Sequence, residues 1–232
     1  MNRIISLALS VIFVGVLSGE SFRLHLLFTN NIHGAIHEVP ARFINPEFSP
    51  ILSGGAGAYS YVNKLRSEAK DAGDFVLLTD AGNLFQGTQL GTEDGGSRMI
   101  RWMNWMNYDA FVPGVRDFDQ GVANLFRLNK EAEFPFLAAN LEGIDGIKDK
   151  KIIEFDGVKI GIIGLITPFI KEGLLPENYE EVKVADLLET LNNQISLIRK
   201  DVDMIFVLSH LGLPYDRAVS YTHLTLPTNR EV

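Results

Sequence analysis

With 232 residues, 46% hydrophobic and 22% charged, the chain carries enough apolar side chain for a substantial core, which excludes a predominantly disordered protein. A net charge of −8 argues against non-specific binding to nucleic acid or to an anionic membrane surface, while leaving small anionic substrates open. Cysteine is absent, so disulfides, thiolate metal sites and a thiol nucleophile are all excluded.

The first residues read as a secretory signal, over 1–19. Arg3 supplies the positive start, Ile4 to Leu17 the apolar stretch, and Ser18-Gly19 the small residues near a cleavage point. Glu20 stands where a lipoprotein would carry its lipidated cysteine, so export without a membrane anchor, to the periplasm or the exterior, is the expectation. Phe22 to Thr29 is an apolar run that ends in a polar turn. After Ser53-Gly54-Gly55, the spacing of Tyr61, Leu65 and Ala69 predicts a helix over Ala58 to Lys70. Phe75 to Thr79 reads as a strand, Gly82 to Gly96 as a glycine-rich loop and Met99 to Met106 as a helix. Trp102, Met103, Trp105 and Met106 are assigned to the core of that helix.

Asp109 to Pro113 and Phe134 to Ala138 read as strands around a helix from Gln120 to Ala132, for which Asp119 is the expected cap. Ile152 to Phe155 and Val158 to Ile163 flank Asp156-Gly157, a two-residue hairpin signal. An amphipathic helix follows over Val184 to Arg199, then a last buried strand from Met204 to Leu208. Strands alternating with helices predict an α/β fold with a largely buried sheet and one antiparallel element. Residues 219–232 resemble the translation of a sequencing-library adapter, so the natural protein is expected to continue past Ala218, and His223 is given no role.

Four turns follow apolar runs and are expected to gather at one sheet edge, outside the carboxyl ends of the strands. They are Thr29-Asn30-Asn31-Ile32-His33-Gly34, Asp80-Ala81-Gly82-Asn83, Gly114-Val115-Arg116-Asp117-Phe118-Asp119 and Leu208-Ser209-His210-Leu211-Gly212. His25 and His37 are read as a strand and a loop residue without a functional role, and Gly54-Gly55 as close packing at a helix start.

The order of these turns, with Gly-Gly at the helix start, Asp-Ala-Gly-x-Leu-Phe-Gln-Gly-Thr, Tyr-Asp-Ala, Phe-Pro-Phe-Leu-Ala-Ala-Asn and Gly-Val-Lys-Ile-Gly-Ile-Ile-Gly, resembles the N-terminal metallophosphoesterase (calcineurin-like) domain of the secreted and periplasmic 5′-nucleotidases over residues 22–218. The resemblance implies a layered sandwich of mixed β-sheets flanked by helices, truncated at its C-terminus, and a further C-terminal domain in the complete protein. It also implies hydrolysis of nucleotide phosphate esters at a centre of two divalent metal ions, which polarise the phosphoryl group and activate a water.

Carried over position by position, the family's metal ligands fall on Asn31, His33, Asn83, Val115 and His210, and its catalytic histidine on Arg116. Only His33 and His210 retain the family's residue type. Neutral Asn83 cannot offset repulsion between two dications as a bridging carboxylate does. Val115 has no donor atom, and Arg116 brings a permanent positive charge. The ordinary two-metal centre is therefore expected not to form. Arg116 is expected to stand in as a cation, paired with Asp80, Asp117 or a bound phosphate, with Arg116 and Asp117 as substrate contacts. Two functions follow from the sequence: a phosphoesterase impaired in two-metal catalysis, or a non-catalytic relative that binds a nucleotide, a phosphate or a protein partner in the inherited cleft.

Overall fold

A computed structural model describes residues 23–175, 178 and 182–212; the expected signal segment and the adapter-like tail lie outside them. Two three-stranded sheets organise the chain. In the first, β1 (Leu24–Thr29) runs parallel to β4 (Phe75–Asp80), which runs parallel to β5 (Ala110–Phe111). In the second, β8 (Val158–Ile166) is central, parallel to β10 (Met204–His210) and antiparallel to β7 (Lys150–Phe155). The α/β architecture expected from alternating strands and helices is what forms, and the Asp-Gly hairpin supplies its antiparallel element. Asp156 (φ 47) and Gly157 (φ 81) both adopt the left-handed conformation that a tight two-residue hairpin turn requires.

Burial follows the residue pattern. From Ile160 to Ile166, β8 is buried without a break, as a strand covered on both faces must be. Its apolar side chains join those of β4 and β5 in one core around Phe85, Phe111, Phe118 and Phe136. Helix α1 (Gly54–Ala72) packs on β4 and ends at Gly73 in the left-handed conformation. Helices α3 (Ser97–Met106) and α4 (Gly121–Glu131) extend that layer, after a single short turn α2 (Gln89–Thr92) inside the glycine-rich loop. On the other sheet lies α5 (Leu187–Ile198), with Leu187, Leu191 and Ile198 buried and Asp186 capping its first turn by accepting from Glu189 N–H. Short antiparallel pairs complete the described structure: β2 (Val39–Pro40) with β3 (Ile51–Leu52), and β6 (Leu141–Glu142) with β9 (Lys183–Val184).

Several expectations are corrected. The segment 134–138 is a seam between the sheets, not a strand. Phe136 bridges Phe111, Leu137 bridges Lys148, and Ala139 N–H donates to Gly164 O. Pro135 has no N–H to give a ladder, and downstream Leu137 N–H donates to Phe111 O of β5 while Ala139 N–H donates to Gly164 O of β8. Asp119 does not cap α4; the N-cap is Gln120, and the Asp119 carboxylate lies toward Arg116 at 3.7 Å. Trp105, expected in the core, is 70% exposed, whereas Trp102, Met103 and Met106 are buried. Among the described residues β1 and β10 are each paired on one side only, and Phe28 on β1 is 67% exposed.

Candidate functional site

β1, β4 and β5 run parallel, so the turns that follow them emerge on one side, and the turn after β10 of the second sheet reaches the same place. All four meet, with the turn Asp80–Asn83 as the hub. From the first turn, Asn31 N–H donates to Gly82 O, His33 N–H to Asn83 O and Gly34 N–H to Leu84 O. From the end of β10, His210 Nδ1–H donates to Ala81 O at 2.5 Å. The third turn is tied in by Asp117, whose carboxylate accepts from the backbone N–H of Asn83 (2.7 Å), Leu84 (2.8 Å) and Gly114 (2.8 Å). Gly114 has no alternative. A Cβ there would lie 2.5 Å from Asn83 Oδ1 and 2.7 Å from His210 Cε1, so the side chains of the second and fourth turns close over it.

Three residues of the cluster, Asn31 (φ 49), His33 (φ 51) and Asn83 (φ 59), adopt the left-handed conformation, which is cheap for asparagine and costs more for histidine. Such strain concentrates at functional sites and is held there by the surrounding hydrogen bonds.

At the solvent side, Asn83 Nδ2 donates to Asn31 Oδ1 at 2.8 Å, and Asn83 Oδ1 accepts from Arg116 N–H at 2.9 Å. His33 Nδ1 bonds Gln86 O at 2.7 Å. Both retained histidines thus give Nδ1 to a carbonyl, which leaves Nε2 as the available ring nitrogen. Among the described residues no three His, Cys, Asp or Glu side chains are grouped as a metal site would need.

Two of the expected roles are placed differently. Arg116 does not pair with Asp80 or Asp117; its exposed guanidinium reaches Asp119 at 3.7 Å and Gly173 O at 3.4 Å, on the outer wall of the cluster. Asp117 is fully buried and its oxygens are occupied by three backbone amides, so it fixes the turns and does not meet solvent. Val115 packs toward Gly173 and the core.

Beneath the hub lies a polar chain that joins Asp80 to Thr29 and Tyr108, two hydroxyls to which sequence reading gave no role. Thr29 Oγ1 donates to Asp80 Oδ2 at 2.5 Å and contacts Tyr108 Oη at 2.9 Å, while Asp80 Oδ1 accepts from Gly82 N–H at 2.8 Å. The available signal was a threonine and a tyrosine beside apolar strand residues, where a buried hydroxyl needs a partner. Burial pushes Asp80 up to about 7 against the pull of its hydrogen bonds, and the nearby Asp117 carboxylate adds to the rise. Asp117 is likewise raised by burial, to about 6, although its three backbone donors oppose this. Tyr108 is raised, again chiefly by burial.

His25 pairs with Asp74 at 3.4 Å on the far end of β1, and His37 lies in an exposed loop, as expected of residues outside the site. At Gly54 and Gly55 added Cβ atoms would meet His37 O at 2.5 Å and Trp102 Nε1 at 2.8 Å, so the Gly-Gly pair serves packing at the helix start.

No family model matches the sequence. The chain is 31% identical over 210 residues to a snake venom 5′-nucleotidase of Crotalus adamanteus, covering 86% of this chain and 35% of that protein. Among solved structures it is similar to the 5′-nucleotidase precursor of Thermus thermophilus, at a TM-score of 0.75 and 26% identity over 86% of this chain and 39% of that one. It is also similar to the calcineurin-like phosphoesterase YfkN of Bacillus subtilis, at a TM-score of 0.62 and 27% identity over 82% of this chain and 62% of that one. The chain thus spans about a third of the length of the curated relatives it matches. Over these residues the chain belongs to the 5′-nucleotidase family, as a counterpart of the N-terminal, calcineurin-like phosphoesterase part of its members.

Proposed function

We propose that the turn cluster is a phosphate-ester cleft of the 5′-nucleotidase family in which a neutral amide pair stands where two metal ions would be held. On this reading the protein binds nucleotide-type phosphate esters and is impaired in two-metal hydrolysis. The observation that carries it is the hydrogen bond from Asn83 Nδ2 to Asn31 Oδ1, with Asn83 Oδ1 taken by Arg116 N–H. Divalent ions would be expected from the family, but this donor set does not fit a pair of them. The amides satisfy each other, Val115 offers no donor, and only the imidazoles of His33 and His210 remain as strong ligands.

Arg116 supplies the positive charge. Its present contacts are long and its side chain is exposed, so turning toward a phosphate costs little. A planar guanidinium bound to a phosphate in two places is a strong, directional contact. Export is proposed as well, on the signal-like residues 1–19. Among the described residues no helix is long and apolar enough to cross a membrane.

The test is calorimetric titration of a nucleoside monophosphate into the full chain in the presence of a chelator. Binding is expected without metal, and Arg116→Ala should weaken it about tenfold or more. Turnover of the same compound that appears only with added divalent metal would overturn the reading in favour of an ordinary phosphoesterase.

A second expectation concerns the amide pair itself. Asn31→Asp and Asn83→Asp should each be nearly neutral, since one amide still donates to one carboxylate. Together they place two carboxylates about 2.8 Å apart. The Coulomb repulsion is about 6 kcal/mol at an effective dielectric near 20 and falls to about 1–3 kcal/mol at this open, hydrated mouth. The double variant should therefore melt several degrees lower and recover on addition of manganese or zinc; a melting temperature indifferent to the metal would show that the scaffold no longer poses a cation site.

A further inference from the structure

The turn cluster is steered from below by side chains that do not reach the cleft. Asp80 is fully buried; its Oδ1 accepts from Gly82 N–H at 2.8 Å and its Oδ2 from the Thr29 hydroxyl at 2.5 Å. A hydroxyl carries one hydrogen. With that of Thr29 given to Asp80, Tyr108 is the donor in the 2.9 Å contact between Thr29 Oγ1 and Tyr108 Oη. The three groups thus form a one-way chain that ends on the carboxylate. Away from water, successive bonds in such a chain polarise and strengthen one another. Strand register sets the chain up, since Thr29 and Asp80 are partners in the ladder between β1 and β4, and Tyr108 stands two residues before β5.

The other oxygen of Asp80 leads to the cleft. Gly82 adopts the left-handed conformation (φ 95) and is wedged against the third turn, where a Cβ would lie 2.4 Å from Gly114 N and 2.7 Å from Val112 O. Its carbonyl accepts from Asn31 N–H at 2.8 Å. Asn31 Oδ1 takes the side-chain amide of Asn83 at 2.8 Å, and Asn83 Oδ1 takes Arg116 N–H at 2.9 Å. An unbroken series of contacts therefore runs from a buried tyrosine to the amide pair and the arginine turn.

We propose that Thr29, backed by Tyr108, is a positioning residue for the cleft. It holds the Asp80 carboxylate in the orientation that fixes Gly82, and Gly82 sets where Asn31 and the Arg116 turn present their donors. This role rests on the reading of the cleft as a phosphate-ester site. Without the hydroxyl, Asp80 Oδ2 loses its donor in a buried place, and such a carboxylate turns toward another partner or takes up a proton. Either response weakens its bond to Gly82, because a neutral carboxyl accepts less strongly than a carboxylate.

The test reads binding and geometry together, in the full chain with a chelator present. A pH of 8 lies above the value of about 7 to which burial raises Asp80. By calorimetry there, Thr29→Val should weaken binding of adenosine 5′-monophosphate at least about fivefold, and Thr29→Ser should restore it to within about twofold. Tyr108→Phe should act in the same direction by about two- to threefold. In nitrogen–proton correlation spectra the backbone N–H peaks of Gly82 and Asn31 should move in the valine variant and return in the serine variant. Those of α5, on the other sheet, should stay in place and report an intact fold. If the valine variant does not fold, Tyr108→Phe carries both readouts, since it leaves the carboxylate its threonine. Binding equal to wild type in the valine and phenylalanine variants overturns the proposal. Gly82 and Asn31 peaks that do not move overturn it too, as does a loss that serine fails to rescue. A wild-type chain that does not bind the nucleotide would overturn the reading of the cleft instead, and the peak positions would still decide whether Thr29 sets its geometry.

Discussion

Replacing Asp117 by alanine is expected to lower the free energy of unfolding by about 2–4 kcal/mol at neutral pH, a large share of a typical domain's stability. The carboxylate is fully buried and accepts three backbone N–H groups that belong to two different turns. Alanine leaves those donors without a partner inside the protein, and each such group costs about 1–3 kcal/mol, less where water enters the gap. Asparagine at 117 should be intermediate, because one acceptor oxygen remains while the amide nitrogen faces donors. The consequences extend to binding. The Asp117 contacts set the distance between the Asn83 turn and the Gly114 turn, and Arg116 follows Gly114 by two residues. Urea unfolding followed by circular dichroism, read beside phosphate-ester titration, should show both losses in the alanine variant; wild-type stability there would mean that the turns are held by something other than this carboxylate.

The buried Asp80 carboxyl should make the chain lose stability as pH rises from about 4 to about 7. Asp80 ionises near its ordinary value when unfolded but only at about 7 when folded. A group whose folded value is raised favours folding fully below its unfolded value, and that contribution is lost as pH rises through the folded value. Roughly 3 units at 1.36 kcal/mol each give a loss of about 4 kcal/mol between pH 4 and pH 7, as an order of magnitude. Asp117, raised to about 6, acts in the same direction. Asp74 is lowered by its backbone bond from Arg23, so its contribution is lost only as pH falls in the acid range and does not mask this window.

Asp80→Asn keeps an acceptor for Gly82 N–H and offers a donor to Thr29, with no charge to bury. It should stabilise the chain at pH 8 and flatten the slope between pH 4 and pH 7. Denaturant midpoints measured across that range for both proteins decide the matter. An unchanged slope in the variant would remove Asp80 as its source.

The fold was legible where one physical signal acted alone. Long apolar runs gave β4, β8 and β10, and the Asp156-Gly157 pair gave the hairpin because only a left-handed turn suits it. Reading failed where partners distant in sequence decide. Nothing local reveals that residues 134–138 divide their hydrogen bonds between two sheets. Trp105 has the helical spacing of a core residue, yet it lines an open cavity beside α1 and stays exposed.

At the site, the four turns were visible as polar letters after buried strands, and their meeting place followed from parallel strand order. The directions of the side chains did not follow. Asp117 lies one residue from Arg116 in the sequence, but a 3₁₀ turn over Val115–Phe118 sends the carboxylate inward and the guanidinium outward. The hydroxyl chain from Tyr108 through Thr29 to Asp80 joins residues 79 and 51 positions apart, a relation that periodicity cannot carry.

The paired amides of Asn31 and Asn83 also bear on how such a site changes over generations. A single base separates an asparagine codon from an aspartate codon, so either position is one step from a carboxylate. Because one amide can donate to one carboxylate, the first step in either place meets little resistance. The second does, since it sets two negative charges against each other at about 2.8 Å. The two positions are therefore epistatic: a lineage can drift freely between the all-amide site and either mixed one. Entry into the two-carboxylate state is favoured only where a cation is held at the same moment, which makes it a valley that selection for metal must bridge in one stride.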